Sequence, residues 1–291
     1  MIPRTFEYVA PKTVNEATSL LRKYGSNSKI LAGGMSLIPV MKLRLASPTY
    51  LIDINGISSL EYVKATNTKL LIGALTRHHT LESSGVVQKR AKLVAETASW
   101  IGDPQVRNAG TIGGSLTHAD PSGDWGAAIL ASRSEMRLRG AKTERIVKSD
   151  DFFVDTFASA VKPNELLIEV RIPIQPESGG GYAKLERKAG DFATVGVAAQ
   201  LAIDKNIVCT YVGIGLTALG PTNLRAKKAE GALLGKVVNE RRIAEAAQAA
   251  SEDAQPASDP LRGSVEYKRE MAAVYTKRAL ITAFRRAKGG D

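Results

Sequence analysis

The hydrophobic pattern of this chain falls into three textures. In the first, Val14, Ala17, Leu20, Leu21 and Tyr24 recur at helical spacing. Thr13 and Glu16 read as a capping box: the threonine hydroxyl caps the helix start, and the glutamate reaches back to it. Gly25 closes the helix. Short apolar runs at 29–32 and 50–54 predict strands. Residues 37–45 predict a helix in which Pro39 is tolerable because it falls near the first turn. The first 55 residues therefore predict strand, helix, strand, glycine loop, helix, strand, a small α/β unit.

From 56 to 177 the texture changes. A strand is predicted at 69–74, a helix at 86–99, a Gly- and Asn-rich loop at 102–115 and a strand at 166–174. Residues 175–181, Gln-Pro-Glu-Ser-Gly-Gly-Gly, read as a linker. Beyond it, apolar runs at 193–203 and 207–218 flank Asp204-Lys205-Asn206, a hairpin signal. Helices are predicted near 229–234, 241–250 and 264–286. The last third thus reads as an antiparallel sheet with helices, and no internal repeat is visible.

Composition narrows the chemistry. The single cysteine, Cys209, excludes an intrachain disulfide. It also excludes an iron–sulfur cluster ligated by this chain alone, which takes about four thiolates. Cys209 lies in an apolar run and reads as a packing residue. His78, His79 and His118 have no metal-ligand spacing, so no metal site and no catalytic residue is expected. Redox chemistry here would need an organic cofactor or another chain. The net charge of +11 is spread along the sequence without a long basic run. With aromatics at only 5%, it reads as a solvated basic surface rather than a nucleic-acid site. No run of 18 apolar residues and no apolar signal core are present, so a cytoplasmic location is expected.

Two short stretches share one design: Ala32-Gly33-Gly34-Met35-Ser36-Leu37 and Thr111-Ile112-Gly113-Gly114-Ser115-Leu116. Each places Gly-Gly, one residue and an apolar residue after a short apolar stretch. Glycines let backbone approach a ligand closely, and consecutive N–H groups form an anion nest. A following helix adds its positive end, and Ser36 and Ser115 add hydroxyls. Either pair alone reads as a tight turn; together, the turn and a two-sided grip on one diphosphate are evenly matched. No G-x-G-x-x-G, Walker A or G-x-S-x-G sequence competes. Asp53, 19 residues after Gly34, imitates a Rossmann ribose acid, but the glycine spacing is wrong and it reads as coincidence. Gly213-Ile214-Gly215 reads as a packing feature. Asp124 reads as a turn or cap residue, or as an acceptor for a cofactor hydroxyl.

These motifs resemble the FAD-binding medium subunit of molybdenum hydroxylases, the group of carbon monoxide dehydrogenase and xanthine dehydrogenase. The likeness rests on residues 32–39 with Met41-Lys42-Leu43-Arg44, on Gln105-Val106-Arg107-Asn108 leading into 111–116, on Ala119-Asp120-Pro121 and on residues 188–193, and it spans essentially the whole chain. It implies an α+β fold: a two-part FAD-binding domain of the vanillyl-alcohol oxidase type over 1–177 (subdomains about 1–55 and 56–177), then a C-terminal α/β domain with antiparallel sheet and helices over 178–291. It implies FAD held by Ala32, Gly33, Gly34, Met35, Ser36 and Leu37 together with Thr111, Ile112, Gly113, Gly114 and Ser115. Asp124 resembles an acid that bonds the ribityl chain, and Lys184 a lysine near the polar edge of the flavin ring. Phe192 resembles a ring covering the flavin face, commonly tyrosine; the hydroxyl is absent here. The resemblance further implies a small partner with two [2Fe–2S] clusters and a large partner with a molybdenum–pterin cofactor, assembled as a dimer of heterotrimers. This chain would pass electrons from the clusters to an external acceptor. The alternatives are a stand-alone FAD-dependent reductase or oxidase, a phosphate-binding regulator and a nucleic-acid binder.

Overall fold

A computed structural model describes residues 1–290; Asp291, the last residue of the expected C-terminal domain, lies outside the described residues. The chain begins with β1 (Glu7–Val9), α1 (Val14–Tyr24), β2 (Ser28–Leu31), α2 (Leu37–Lys42) and β3 (Tyr50–Asp53). The three strands form a parallel sheet in the order β1-β3-β2. Ala17 and Leu21 of α1 bury against Ile52, Ile54, Ile57 and Leu60. The capping box differs in one detail. Thr13 Oγ1 accepts from the Glu16 N–H at 3.1 Å, but Glu16 Oε2 accepts from the Lys12 N–H at 2.7 Å, one residue before the cap. The second helix stops at Lys42 rather than 45.

The middle region runs β4 (Val63–Ala65), β5 (Lys69–Gly73), α3 (His78–Ser83), α4 (Gly85–Arg90), α5 (Lys92–Ser99), α6 (Pro104–Ala109), α7 (Ile112–His118) and α8 (Asp124–Ala131). It continues with β6 (Glu135–Gly140), β7 (Glu144–Lys148), β8 (Phe153–Asp155), β9 (Ala158–Ser159) and β10 (Glu165–Pro173). Strands β4-β5-β10-β6-β7 form an antiparallel sheet, and the helices cover one face through Leu93, Val94, Ile112, Leu116 and Trp125.

Two expectations fail here. The helix predicted at 86–99 is broken at Ala91. Val87 and Leu93 are both buried, yet six residues of continuous helix would set them about 120° apart; the break lets both reach the core. The predicted loop at 102–115 is mostly helical. Asp103 Oδ1 caps the Val106 N–H at 2.9 Å, with Pro104 in the first turn of α6.

The last region holds β11 (Ser178–Leu185), β12 (Val195–Ile203), β13 (Cys209–Thr217), β14 (Leu224–Arg225), α9 (Lys227–Leu233), α10 (Glu240–Asp253) and α11 (Val265–Ala287). The four strands are antiparallel in sequence order. Asp204 Oδ1 accepts from the Asn206 and Val208 N–H groups in the predicted β12–β13 turn.

The predicted linker is corrected: Gly179, Gly180 and Gly181 are strand residues of β11. A Cβ on Gly179 or Gly181 would strike the Ala283 or Ala279 carbonyl of α11, and one on Gly180 would lie 2.6 Å from Leu93 Cβ of α5. The glycines let helices approach both faces of one strand. Gly213 and Gly215 admit α8 to one face of β13, where a Cβ would strike the Ala131 and Ala127 carbonyls. This sheet is therefore a middle layer, with α5 and α8 on one face and α11 on the other.

Candidate functional site

The structure brings the two glycine motifs together. A Cβ on Gly33 would strike the Ala109 carbonyl oxygen and come within 2.7 Å of Gly110 Cα, just ahead of the second motif. A Cβ on Gly114 would lie 3.5 Å from Ala32 Cβ. The absence of a side chain at Gly33 is what lets the loops touch; at Gly114 a Cβ would meet Ala32 at ordinary contact distance but crowd Thr111 Oγ1 at 2.8 Å.

The motifs differ in what their N–H groups do. Gly33, Gly34, Met35 and Ser36 lie outside any helix or strand, and among the described residues their N–H groups donate to no protein acceptor. Gly34 has φ +75°, a left-handed conformation that glycine adopts without strain. Four consecutive N–H groups without a protein acceptor therefore stand just ahead of α2. In the second motif the donors are spent: Ile112 N–H on Thr76 O (3.1 Å), Gly113 N–H on Ala74 O (2.9 Å), Gly114 N–H on Thr111 Oγ1 (3.1 Å) and Ser115 N–H on Thr111 O (3.0 Å). That glycine pair sits in the first turn of α7, with Thr111 as its cap. Gly113 is there because a Cβ would lie 2.6 Å from Ala74 Cβ.

From α7 the chain passes through Ala119 (φ +53°) into 120–124, which residues 217–223 pin. Pro121 O accepts from the Ala218 N–H (2.7 Å), Thr217 Oγ1 (2.9 Å) and Asn223 Nδ2 (3.1 Å). Asp124 then opens α8 inside a buried cluster. Its carboxylate accepts from the Tyr182 hydroxyl at 2.5 Å, and Lys184 Nζ lies 3.2 Å from both its oxygens. Lys184, with no exposed side-chain surface, also donates to Trp100 O at 3.1 Å and lies 3.5 Å from Glu186. Burial pushes the Asp124 carboxyl up, against the pull of the Lys184 ammonium and the Tyr182 hydroxyl. Burial, with the Asp124 charge beside it, holds the Tyr182 phenol well above its ordinary range.

Phe192 is half exposed, on the rim of a cavity of about 260 Å³ lined also by Asp120, Ser122, Arg262 and Lys268. Arg262 fixes this rim by donating to the Phe192 and Ala193 carbonyls at 2.7 and 3.0 Å. Thus Asp124 meets Lys184, and Phe192 and Asp120 line the same cavity. The Asp124–Lys184 pair shares no hydrogen bond with either glycine motif among the described residues. Among the described residues no group of three or more His, Cys, Asp or Glu side chains is placed to hold a metal ion, and no helix is long and apolar enough to cross a membrane.

Sequence reading missed Tyr182. Tyr182 and Lys184 alternate along β11 onto one face, with Glu186 one residue past the strand, a period-two signal hidden by reading the preceding glycines as linker. It also missed His78, which is buried with Nδ1 accepting from Trp125 Nε1 at 3.1 Å; no local pattern marks it.

This architecture is that of a two-part cofactor domain followed by a sheet-and-helix domain. Residues 4–175 match the family model described as the FAD binding domain in molybdopterin dehydrogenase, and residues 181–283 that of the CO dehydrogenase flavoprotein C-terminal domain. The chain is 44% identical to the carbon monoxide dehydrogenase medium chain of Hydrogenophaga pseudoflava, over 98% of this chain and 99% of that one. It is 39% identical to the medium chain of the same name from Afipia carboxidovorans, over 99% and 100%. It superposes with a TM-score of 0.95 on a solved chain of the H. pseudoflava carbon monoxide dehydrogenase lacking the Mo-pyranopterin moiety, at 45% identity and covering 98% and 99%. The chain belongs to the FAD-binding medium subunits of the carbon monoxide dehydrogenase and xanthine dehydrogenase type, and so to the oxidoreductases.

Proposed function

We propose that this chain is the electron-transfer subunit of a cytoplasmic heterotrimeric molybdenum hydroxylase, a dimer of heterotrimers when assembled. It takes electrons from the [2Fe–2S] clusters of a small partner and passes them to an external acceptor. A large partner holding a molybdenum–pterin cofactor oxidises the substrate. The observation that carries the reading is the run of four free N–H groups at Gly33–Ser36, packed against the start of α7, in a chain of this family. Residues 1–177 form the FAD-binding domain and 178–291 the C-terminal domain in this reading.

The residues present fit FAD. Loop 33–36, within Ala32–Leu37, offers donors to a diphosphate, and in this reading the hydroxyls of Ser36 and of Ser115, within Thr111–Ser115, serve the same ligand. Thr111, Ile112 and Gly113 shape the second motif more than they donate. FAD, when bound, supplies a centre that takes electrons singly and releases a pair. Lys184 holds a positive charge inside the protein, kept there by Asp124 and Glu186. The Tyr182 proton stays on its oxygen and orients the Asp124 carboxylate. Phe192 presents an aromatic face at the cavity rim, where stacking needs no hydroxyl.

The test is Gly33→Val combined with Gly114→Val. Bulk at these positions forces the touching loops apart, and the double variant is expected to purify with little or no flavin. Full flavin occupancy would overturn the assignment. Native purification with iron and molybdenum analysis tests the partnership: an active chain free of both metals would favour a stand-alone FAD-dependent reductase or oxidase.

A further inference from the structure

The two glycine motifs are tied together by side chains that lie in neither. Asn55, just beyond β3, donates from Nδ2 to the Ala32 carbonyl at 2.7 Å. Its Oδ1 accepts from Arg77 Nη2 at 2.8 Å, and Arg77 Nη1 donates to the Ala109 carbonyl. One chain of hydrogen bonds therefore runs from the residue before Gly33 to the residue before Gly110. The backbone of Arg77 also bridges to Thr111.

The carboxamide has no freedom left. Its other Nδ2 hydrogen points to Asp53 Oδ1 at 2.7 Å, which also accepts from the Asn55 N–H at 2.9 Å. Asp53 Oδ2 accepts from the Tyr8 hydroxyl at 2.6 Å. Burial raises the Asp53 carboxyl, but these donors and the Arg77 charge outweigh it and hold the group below its usual range. The acid that imitates a Rossmann ribose ligand instead orients a neighbouring amide.

The consequence for the loop is geometric. The Ala32 carbonyl and the Gly33 N–H belong to one planar trans peptide and point in opposite directions. Fixing the carbonyl on Asn55 fixes where the first free N–H of the nest points. We propose that Asn55 and Arg77 are positioning residues for dinucleotide binding: they lock the first glycine loop to the start of the second motif and preset its donors for a diphosphate. This rests on the reading that these loops hold FAD. The clamp works without touching the ligand, as residues that orient metal ligands do, where loss typically costs 10–100-fold in affinity.

The experiment uses the full chain freed of flavin, titrated with FAD and with riboflavin, which lacks the diphosphate. The variants are Asn55→Ala, which breaks the clamp at its centre, and Arg77→Lys, which keeps the charge but cannot bridge two acceptors with a planar fork. Each is expected to raise the Kd for FAD about tenfold, toward the lower end of that range. The riboflavin Kd should move less than twofold, and the flavin-free melting temperature should hold. If Asn55→Ala fails to fold, Arg77→Lys alone decides. Variants that bind FAD within twofold of the parent overturn the clamp while leaving the flavin site intact. Equal weakening of FAD and riboflavin, or a fall in melting temperature that accounts for the loss, also overturns it. A parent chain that binds no FAD defeats the underlying functional reading itself.

Discussion

Acid should unfold this protein earlier than its carboxylates alone require, because of one histidine. His78 is 3% exposed, and its Nδ1 accepts a hydrogen bond from Trp125 Nε1 at 3.1 Å. A proton on Nδ1 would set two donors against each other in a buried site. Burial, then the charges of Arg77 and Arg107, bring the imidazole down to about 3. An unfolded histidine titrates near 6.5. Between those values the unfolded chain binds a proton that the folded chain refuses, so the stability from neutral His78 is present above pH 6.5 and drains as pH falls toward 3.

At about 1.4 kcal/mol per pH unit below 6.5, the loss between pH 7 and pH 5 is about 2 kcal/mol. Asp124 and Glu230, both pushed up by burial, titrate with the opposite sign, so the effect must be isolated by difference. The comparison is the parent chain against His78→Asn, whose amide oxygen can replace Nδ1 as acceptor but does not titrate. Urea unfolding followed by tryptophan fluorescence and circular dichroism at pH 7, 6 and 5, at fixed flavin, gives both curves. The variant should be less stable at pH 7 and lose about 2 kcal/mol less than the parent on reaching pH 5. Parallel curves would refute the reasoning. Because the His78 backbone N–H donates to the Gly110 carbonyl at 3.1 Å, acid opening around His78 should begin just ahead of the second glycine motif.

Three further outcomes follow from packing and charge. Gly213→Ala and Gly215→Ala drive a methyl into carbonyls of α8 and should each cost about 1–3 kcal/mol or more, whereas Gly231→Ala, with open space at its Cβ inside α9, should gain up to about 1 kcal/mol; urea midpoints check all three. Burial pushes the Cys209 thiol up to about 11, so the native chain should leave a disulfide reagent unreacted at pH 8 and consume one equivalent only when unfolded. In the buried cluster, Asp124→Asn leaves Lys184 with Glu186, but Lys184→Met strands two carboxylates. The lysine variant should therefore lose more stability at pH 7, of order 3–5 kcal/mol, and equal losses would show that Glu186 does not share the charge.

Legibility in the sequence tracked the range of the interaction responsible. The α/β order of the first 55 residues was readable because period, cap and glycine stop are all local, as in Thr13 through Gly25. The β12–β13 hairpin was readable from Asp204 for the same reason. The break at Ala91 was not, since it answers a core that must accept both Val87 and Leu93. Nor was β11. Three consecutive glycines look like flexible chain until α11, a hundred residues on, is seen packed against two of them and α5 against the third. In the site, the residue types and both motifs were legible, but the Asp124–Lys184–Tyr182 contact and the Asn55–Arg77 clamp join positions that only the fold brings together.

The two glycine motifs show how far one residue can redirect a shared pattern. Both read as Gly-Gly, one residue, then apolar, and both lead into a helix. Two positions before the first glycine of the second motif stands Thr111, whose hydroxyl caps the Gly114 N–H and draws the pair into the first turn of α7. The first motif has Leu31 at that position, which cannot cap, and Gly34 adopts a left-handed φ before the helix starts. Its N–H groups meet no protein acceptor among the described residues. A buried or half-buried run of unpaired donors is costly unless a ligand or water meets it. The first motif therefore leaves four donors without a protein acceptor, while the second spends its own at the start of α7 and packs against the first.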